Sequence, residues 1–135
     1  DREQAMLEAS RKRLGEFGNI RFVEGDLLDL DLESESVDAA VMMLVLHHLP
    51  EPEAAIAEAA RILRPGGVLL VVDMVAHDRD TYQLTMGHEH LGFEESAILE
   101  FGDRGGFDRV SWRRLRPMPG GKGPGLFAAS LFKRA

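Results

Sequence analysis

Two adjacent histidines and one aspartate follow apolar stretches of the sequence, at the places where strands of a sheet would end. His47 and His48 stand in LHHLP, and Asp26 stands in GDLLDL. Histidine titrates near neutral pH and can accept a proton from a reacting group, which makes this pair the catalytic candidate. The Asp26 carboxylate can accept hydrogen bonds from a ligand amine or hydroxyl. The alternatives are structural: packing or capping at a strand end for the histidines, and capping of a loop for Asp26.

A second pair of histidines, His88 and His90 in GHEHLGF, raises the question of a metal site. Residues two apart point to nearly opposite sides of a helix, so they could share an ion only on a strand. The HExxH spacing of zinc proteases is not met. The chain contains no cysteine, which excludes disulfides, thiolate zinc sites and cysteine nucleophiles. The sequence therefore predicts no metal site.

The elements that must position these residues alternate between helix and strand. Residues 2–14 predict a helix, and residues 20–24 predict a short strand. The apolar run at 37–46 lacks alternation, which is typical of a strand buried on both faces. Residues 51–64 form a second predicted helix, with Pro52 at its first position and PGG after its end. VLLVVDMV follows as another fully buried strand.

The second half of the chain predicts a helix at 93–101 and two strands, FDRVSWRRLRP and GLFAASLFKR. PMPGGKGPG between these strands lacks the spacing of a P-loop and predicts a turn-rich connection, so the strands should pair antiparallel at a sheet edge. The fold class is therefore α/β, with a mostly parallel sheet and an antiparallel C-terminal hairpin. Ligands of such sheets bind at the carboxyl ends of the strands.

Composition excludes several classes of protein. The chain has 135 residues, 44% of them hydrophobic, which fits one compact domain. A formal net charge of −7 disfavours binding of nucleic acid by this chain alone, and it disfavours an anionic membrane surface. No apolar run reaches the roughly 20 residues that span a bilayer, and no signal sequence is recognisable. We expect a cytoplasmic location.

Two long stretches resemble the middle and later motifs of class I S-adenosylmethionine-dependent methyltransferases of the small-molecule type: NIRFVEGDLLDL and VDAAVMMLVLHHLPEPEAAIAEAARILRPGGVLLVVD. The resemblance covers most of residues 1–75. The opening DREQAML is similar to the D-x-S-x-x-M-L at the end of the family's second strand, with Glu3 in place of serine. GHEHLGF and GPGLFAASLFK also resemble methyltransferase domains that follow ArsR-type winged-helix regulators.

The resemblance implies a Rossmann-like fold and S-adenosylmethionine as cofactor. It places Asp1 where a carboxylate accepts hydrogen bonds from both ribose hydroxyls, and Asp26 where a residue receives the adenine amine. Three further positions match residues that line the adenine or meet its ring: Arg2, Met6 and Leu27.

On the acceptor side, the resemblance implies that the backbone of Met43 contacts the methionine part of the cofactor, with His47 and His48 just beyond it. Substrate elements in this family are often inserted after the PGG strand. Residues 79–90, including Tyr82, are therefore interpreted as a lid or a wall of the acceptor site.

The family's glycine-rich loop and its first two strands have no counterpart in this sequence. In the family strand order, 3-2-1-4-5-7-6, those strands lie between the strands expected at 20–24 and 37–46. The strand at 37–46 would then have an open apolar edge. Pairing with 20–24, strand exchange that creates a homo-oligomer, or a longer parent chain would each cover it. We divide the partial domain into a cofactor-side core (1–75), an acceptor-side segment (76–106) and a C-terminal hairpin (107–135).

The sequence therefore predicts a methyltransferase that acts on a small-molecule acceptor, with weak or no activity for this chain alone. The alternative is a non-catalytic sensor or assembly module fused to a transcriptional regulator. A nicotinamide-dependent oxidoreductase shares the architecture, but the sequence has no G-x-G-x-x-G. The acceptor is not indicated by any residue.

Overall fold

The structure, a computed structural model, describes residues 1–79 and 87–135. These residues divide into two compact units, Asp1–Leu32 and Glu33–Ala135, which are described in turn. None of the helices in the described ranges is long and apolar enough to cross a membrane.

The first unit begins with helix α1, Gln4–Leu14, which confirms the helix predicted near 2–14. Basic residues occupy its last turn, where the helix dipole favours cations. The Asp1 carboxylate accepts a hydrogen bond from the backbone N–H of Glu3 at 2.8 Å. Leu7 is the buried residue of α1. The helix thus holds Asp1 directly before its first turn.

The prediction of a strand at 20–24 is wrong, because the backbone there is irregular. A strand is defined by a ladder of hydrogen bonds to several residues of a neighbouring strand. Here the hydrogen bonds described below involve one neighbouring residue, Asp1. The Asp1 backbone nitrogen donates to the Val23 carbonyl at 3.1 Å, and Gly25 N–H donates to the Asp1 carbonyl at 2.9 Å. These two bonds join the end of the segment to Asp1.

The second unit is built on a four-stranded mixed sheet. Its strands are β1 (Val37–Met43), β2 (Leu63–Met74), β3 (Phe107–Arg114) and β4 (Leu126–Lys133). The spatial order is β1-β2-β4-β3, with β1 and β2 parallel and β4 antiparallel to both of its neighbours. This order confirms the α/β class and the hairpin, and it corresponds to the last four strands of the expected family order.

The described residues of this unit include two α-helices: α2, Pro52–Ile62, and α3, Glu95–Gly105. Both confirm predicted helices, with shifted ends. The chain after α2 joins β2 directly, so the residues of RPGG lie in the strand. Helix α3 continues to Gly105 because a left-handed residue, Gly106 with φ 99°, ends it there.

The prediction that strands β1 and β2 are buried on both faces is wrong. Strand β1 lies at the sheet edge, and Val41 and Met43 keep 61% and 59% of their surface exposed. In β2 one face is buried, through residues such as Leu69 and Val71, whereas the alternate residues are half-buried. Helix α2 packs on β2, whereas α3 packs on β3, and a Cβ at Gly102 of α3 would meet the side chains of Val110 and Leu131. A continuous apolar run in the sequence therefore does not mean that both faces of the strand are covered.

Candidate functional site

His47 and His48 lie in a 3-10 turn, Leu46–His48, that follows strand β1. Leu44 has a φ of 55° and donates its N–H to the Val72 carbonyl at 2.8 Å, so the chain turns sharply where β1 ends. Leu46 is fully buried and anchors the turn. As a result, His47 points inward and is 4% exposed, whereas His48 is exposed.

Asp73, near the end of strand β2, holds His47 in place. The Nδ1 of His47 and Oδ1 of Asp73 are 2.7 Å apart, and the His47 backbone N–H donates to Oδ2 at 3.2 Å. Asp73 is fully buried. A carboxylate can only accept, so Nδ1 carries a hydrogen and the lone pair of the neutral ring stands on Nε2. This arrangement orients a proton acceptor.

Sequence reasoning missed Asp73, although the sequence contains a signal for it. A charged residue within the apolar strand VLLVVDMV must have a partner, because an unpaired buried carboxylate is strongly unfavourable. The partner, His47, is 26 positions away, so its identity depends on the pairing of β1 with β2.

His88 lies beside the two histidines of the turn. Its ring centroid is 4.3 Å from that of His47 and 5.0 Å from that of His48, and the latter two rings are 4.1 Å apart. The His47 carbonyl accepts hydrogen bonds from the N–H groups of Glu89 and His90, each at 3.0 Å. The segment that carries His88 is therefore attached to the turn that carries His47.

Burial favours the neutral form of two histidines here, His88 and His77. Burial lowers the pKa of His88 from its ordinary value of 6.5, and the neighbouring His47 and His48 lower it further. Burial also lowers the pKa of His77, and the Arg79 guanidinium adds to this effect. A neutral imidazole is the form that accepts a proton or binds a metal ion.

One ring nitrogen from each of His47, His48 and His88 lies within 4.8 Å of the other two. The sequence led us to consider His88 together with His90, and the fold instead places it against the turn after β1. No local spacing could have indicated this, since 39 positions separate His48 from Gly87, whose carbonyl lies 3.4 Å from the His48 Nδ1. The proposed lid residue Tyr82 lies outside the described residues.

The residues expected to bind the adenosine part of a cofactor lie in the first unit. Arg2 and Met6 are exposed, and Leu27 is half-buried. Asp26 Oδ1 accepts the Leu28 N–H at 2.9 Å, which confirms the loop-capping role considered for it. That turn leaves Oδ2 of Asp26 for a ligand.

The donors and acceptors of this unit fit the adenosine part of S-adenosylmethionine. The hydrogen bond between Gly25 and Asp1 places the two loops that carry Asp1 and Asp26 side by side. Each carboxylate is exposed and retains an oxygen that can accept from a hydroxyl or an amine. In the second unit, Met43 is the last residue of β1. Only Leu44 and Val45 separate it from the 3-10 turn at Leu46–His48.

Comparison with known proteins agrees with this fit. The sequence profile of the family described as "Methyltransferase domain" matches residues 1–71, which is more than half of the chain. A ubiquinone/menaquinone biosynthesis C-methyltransferase, UbiE, from Methylobacterium nodulans is 35% identical over 97% of this chain and 52% of its own length. UbiE from Paracoccus denitrificans is 28% identical over 85% of this chain and 58% of its own length. The chain thus spans little more than half the length of these curated relatives.

A solved structure shares the fold. A SAM-dependent methyltransferase from Thermotoga maritima superposes with a TM-score of 0.80 at 23% identity. The superposition covers 99% of this chain and 72% of that one. At this identity the likeness establishes the fold alone.

Proposed function

Because the chain belongs to the family of class I S-adenosylmethionine-dependent methyltransferases, we propose that the protein transfers a methyl group from S-adenosylmethionine to a small-molecule acceptor. The observation that carries the proposal is the buried pair of Asp73 and His47, which orients a proton acceptor directly after strand β1. The cofactor, when bound, supplies a methyl group on a sulfonium sulfur.

Asp1 and Asp26 would hold the adenosine part of the cofactor. The Asp1 carboxylate accepts from the ribose hydroxyls, and Asp26 Oδ2 accepts from the adenine amine while Oδ1 maintains the turn with Leu28. Arg2, Met6 and Leu27 would line the adenine, and the Met43 backbone would contact the methionine part.

His47 would accept the proton that the acceptor loses. Methyl transfer is a direct displacement, so the protein contributes mainly the positions of the two reactants and a base for an O–H or N–H group. Asp73 keeps the His47 tautomer with Nε2 ready to accept, and its negative charge stabilises the imidazolium that forms. His48, exposed beside His47, would contact the acceptor.

The relatives suggest a class of acceptor. UbiE proteins are named for C-methylation in quinone biosynthesis, and a base suits such an acceptor: loss of a hydroxyl proton makes the aromatic ring a better nucleophile. We therefore extend the proposal to hydroxyaromatic acceptors related to quinone precursors. The methyl group forms a carbon–carbon bond as its bond to sulfur breaks. The ring proton at that carbon then leaves to water, and the His47 imidazolium returns its proton to the ring oxygen.

Isothermal titration of the full-length protein with S-adenosylmethionine tests the cofactor site. In Asp26→Asn the amide oxygen can still accept the Leu28 N–H, whereas the second oxygen is replaced by a donor. We expect about tenfold weaker binding, from loss of one hydrogen bond to a charged acceptor. Asp103→Asn, on the exposed surface of α3, is the matched control. Absence of binding by the wild type well above micromolar cofactor would overturn the proposal.

Turnover tests the catalytic part separately. The full-length protein is incubated with cofactor and a reduced 1,4-naphthoquinol, and the methylated product is measured by mass spectrometry. We expect His47→Asn to lower kcat by about 100-fold or more while cofactor affinity is kept. Cofactor binding without any turnover, across a panel of hydroxyaromatic acceptors, would instead favour the sensor module.

A further inference from the structure

The cluster of His47, His48 and His88 has the composition of a metal site. We propose that these three imidazoles bind one divalent transition-metal ion, with Zn²⁺ as the reference ion, through one nitrogen each. Metal binding would be a property beyond methyl transfer, and the sequence alone predicted no metal site. Zn²⁺ is commonly bound by three histidines that leave a fourth position open.

Two of the three rings are held in the tautomer that a metal needs. His47 Nδ1 donates to the Asp73 carboxylate at 2.7 Å, and His48 Nδ1 faces the Gly87 carbonyl at 3.4 Å. Both partners are oxygen acceptors, so Nδ1 carries the hydrogen and Nε2 has the lone pair. Metal-binding histidines characteristically donate their other N–H to a carboxylate or a backbone carbonyl, which fixes the ring and raises its basicity.

Backbone hydrogen bonds also hold together the chain segments that carry the cluster. The backbone N–H groups of Glu89 and His90 both donate to the His47 carbonyl, which fixes the chain directly after His88. Farther along, Phe93 N–H donates to the Met74 carbonyl at 2.9 Å, next to Asp73. The turn after β1 and the end of strand β2 therefore position all three rings and the Asp73 carboxylate.

The distances allow an ion to bind with small movements. One nitrogen from each ring lies within 4.8 Å of the other two, whereas a tetrahedral ion with Zn–N bonds of about 2.0–2.1 Å requires nitrogens about 3.3 Å apart. His48 is exposed and His88 is half-buried, so their rings can turn toward buried His47. The exposed side of His48 leaves the fourth position to water or to an acceptor oxygen.

Two nearby histidines are not in the proposed ligand set. His77 Nδ1 accepts the Arg79 backbone N–H at 3.1 Å, so the hydrogen of its neutral ring stands on Nε2. His90 packs on Phe93, with ring centroids 5.4 Å apart. His90 therefore offers a matched control, since it lies two positions from His88 on the same segment.

An ion at this site would change the role of His47. Its Nε2 lone pair cannot bind a metal and accept a proton at the same time, so Zn²⁺ should inhibit a methyl transfer that uses His47 as base. Metal binding is measured directly, without activity. It can therefore fail while the proposed function holds, or hold while that function fails.

The experiment titrates metal-free, untagged full-length protein with Co²⁺ and follows the visible d–d absorption, then displaces Co²⁺ with Zn²⁺. We expect one ion per chain and an intense, tetrahedral-type spectrum. His88→Gln and His48→Gln should each weaken Co²⁺ binding at least about tenfold, whereas His90→Gln should bind as the wild type does. Circular dichroism confirms that each variant is folded.

Three results would overturn the proposal. The first is a spectrum that stays octahedral and weak up to millimolar Co²⁺. The second is an effect of His90→Gln as large as that of His88→Gln, and the third is full binding by a folded His48→Gln, His88→Gln double variant. Asp73→Asn adds a further check, with an expected loss of about 10- to 100-fold in Zn²⁺ affinity, because it acts through the orientation of His47.

Discussion

Asp73 has no exposed surface, and its carboxylate accepts three hydrogen bonds. The donors are the His47 backbone N–H and Nδ1, and the Met74 backbone N–H at 2.7 Å. Each buried donor left without a partner costs about 1–3 kcal/mol. We expect Asp73→Ala to lower the free energy of unfolding by about 3 kcal/mol, and Asp73→Asn to lower it by about 1 kcal/mol because one oxygen remains.

Urea denaturation of the metal-free protein measures both changes. The control is Asp38→Ala, because the ion pair of Asp38 with Arg64 lies on the surface and should contribute little. If Asp73→Ala unfolds at the same urea concentration as Asp38→Ala, the hydrogen bonds of Asp73 do not stabilise the second unit.

At the scale of single residues, the sequence indicated His47 and His48 but neither Asp73 nor His88 as members of one site. The histidines of the turn are recognisable because they follow an apolar run directly. Asp73 and His88 reach them through the pairing of β1 with β2 and through the bonds from 89 and 90 to His47. Contacts of this kind depend on the fold, so residue spacing does not reveal them.

In the segment after Gly87, one glycine lies very close to the chain that follows strand β2. Gly92 has a φ of 83°, and a Cβ there would lie 2.4 Å from the Val75 carbonyl oxygen. Gly92→Ala combines backbone strain with a clash that only backbone movement can relieve. We expect it to lower the free energy of unfolding by about 2–3 kcal/mol and to detach the segment that carries His88.

Gly66→Ala separates the two effects. Gly66 has a similar φ of 80°, but a Cβ there meets nothing within 4 Å. This control should show the strain alone, about 1 kcal/mol. Chemical denaturation gives the energies, and Co²⁺ absorption reports on the histidine cluster. Equal destabilisation by the two substitutions would show that the close approach to Val75 does not matter.

At the scale of elements, the sequence predicted the type of each helix and of the hairpin well. The signals were local, such as Pro52 at the start of α2 and the turn-rich loop between β3 and β4. The burial of β1 and β2 was predicted less well, because an apolar run does not say how many of its faces are covered. The strand at 20–24 failed for a related reason, since a strand exists only where a neighbour supplies a hydrogen-bonding ladder.

At the scale of the whole molecule, the order of the sheet followed from the family resemblance, whereas composition and periodicity predicted only its class. The order leaves β1 and β3 at the two edges. Strand β3 is rich in arginine, which discourages pairing with another chain. Strand β1 is apolar, and the exposed fractions of Val41 and Met43 are the largest in that strand among its large apolar residues.

This difference between the edges predicts how a polypeptide of residues 1–135 behaves in solution. An exposed apolar edge strand is a template for pairing with a second copy, and a lysine on it opposes such pairing. We expect the 1–135 polypeptide to associate as its concentration rises, and Val41→Lys to shift it toward the monomer by about tenfold in concentration, equivalent to about 1.4 kcal/mol. Ser111→Lys, on the exposed surface of β3, should leave association unchanged. Light scattering coupled to size-exclusion chromatography measures both, and a wild-type polypeptide that stays monomeric over the whole range would show that the β1 edge does not recruit a second chain.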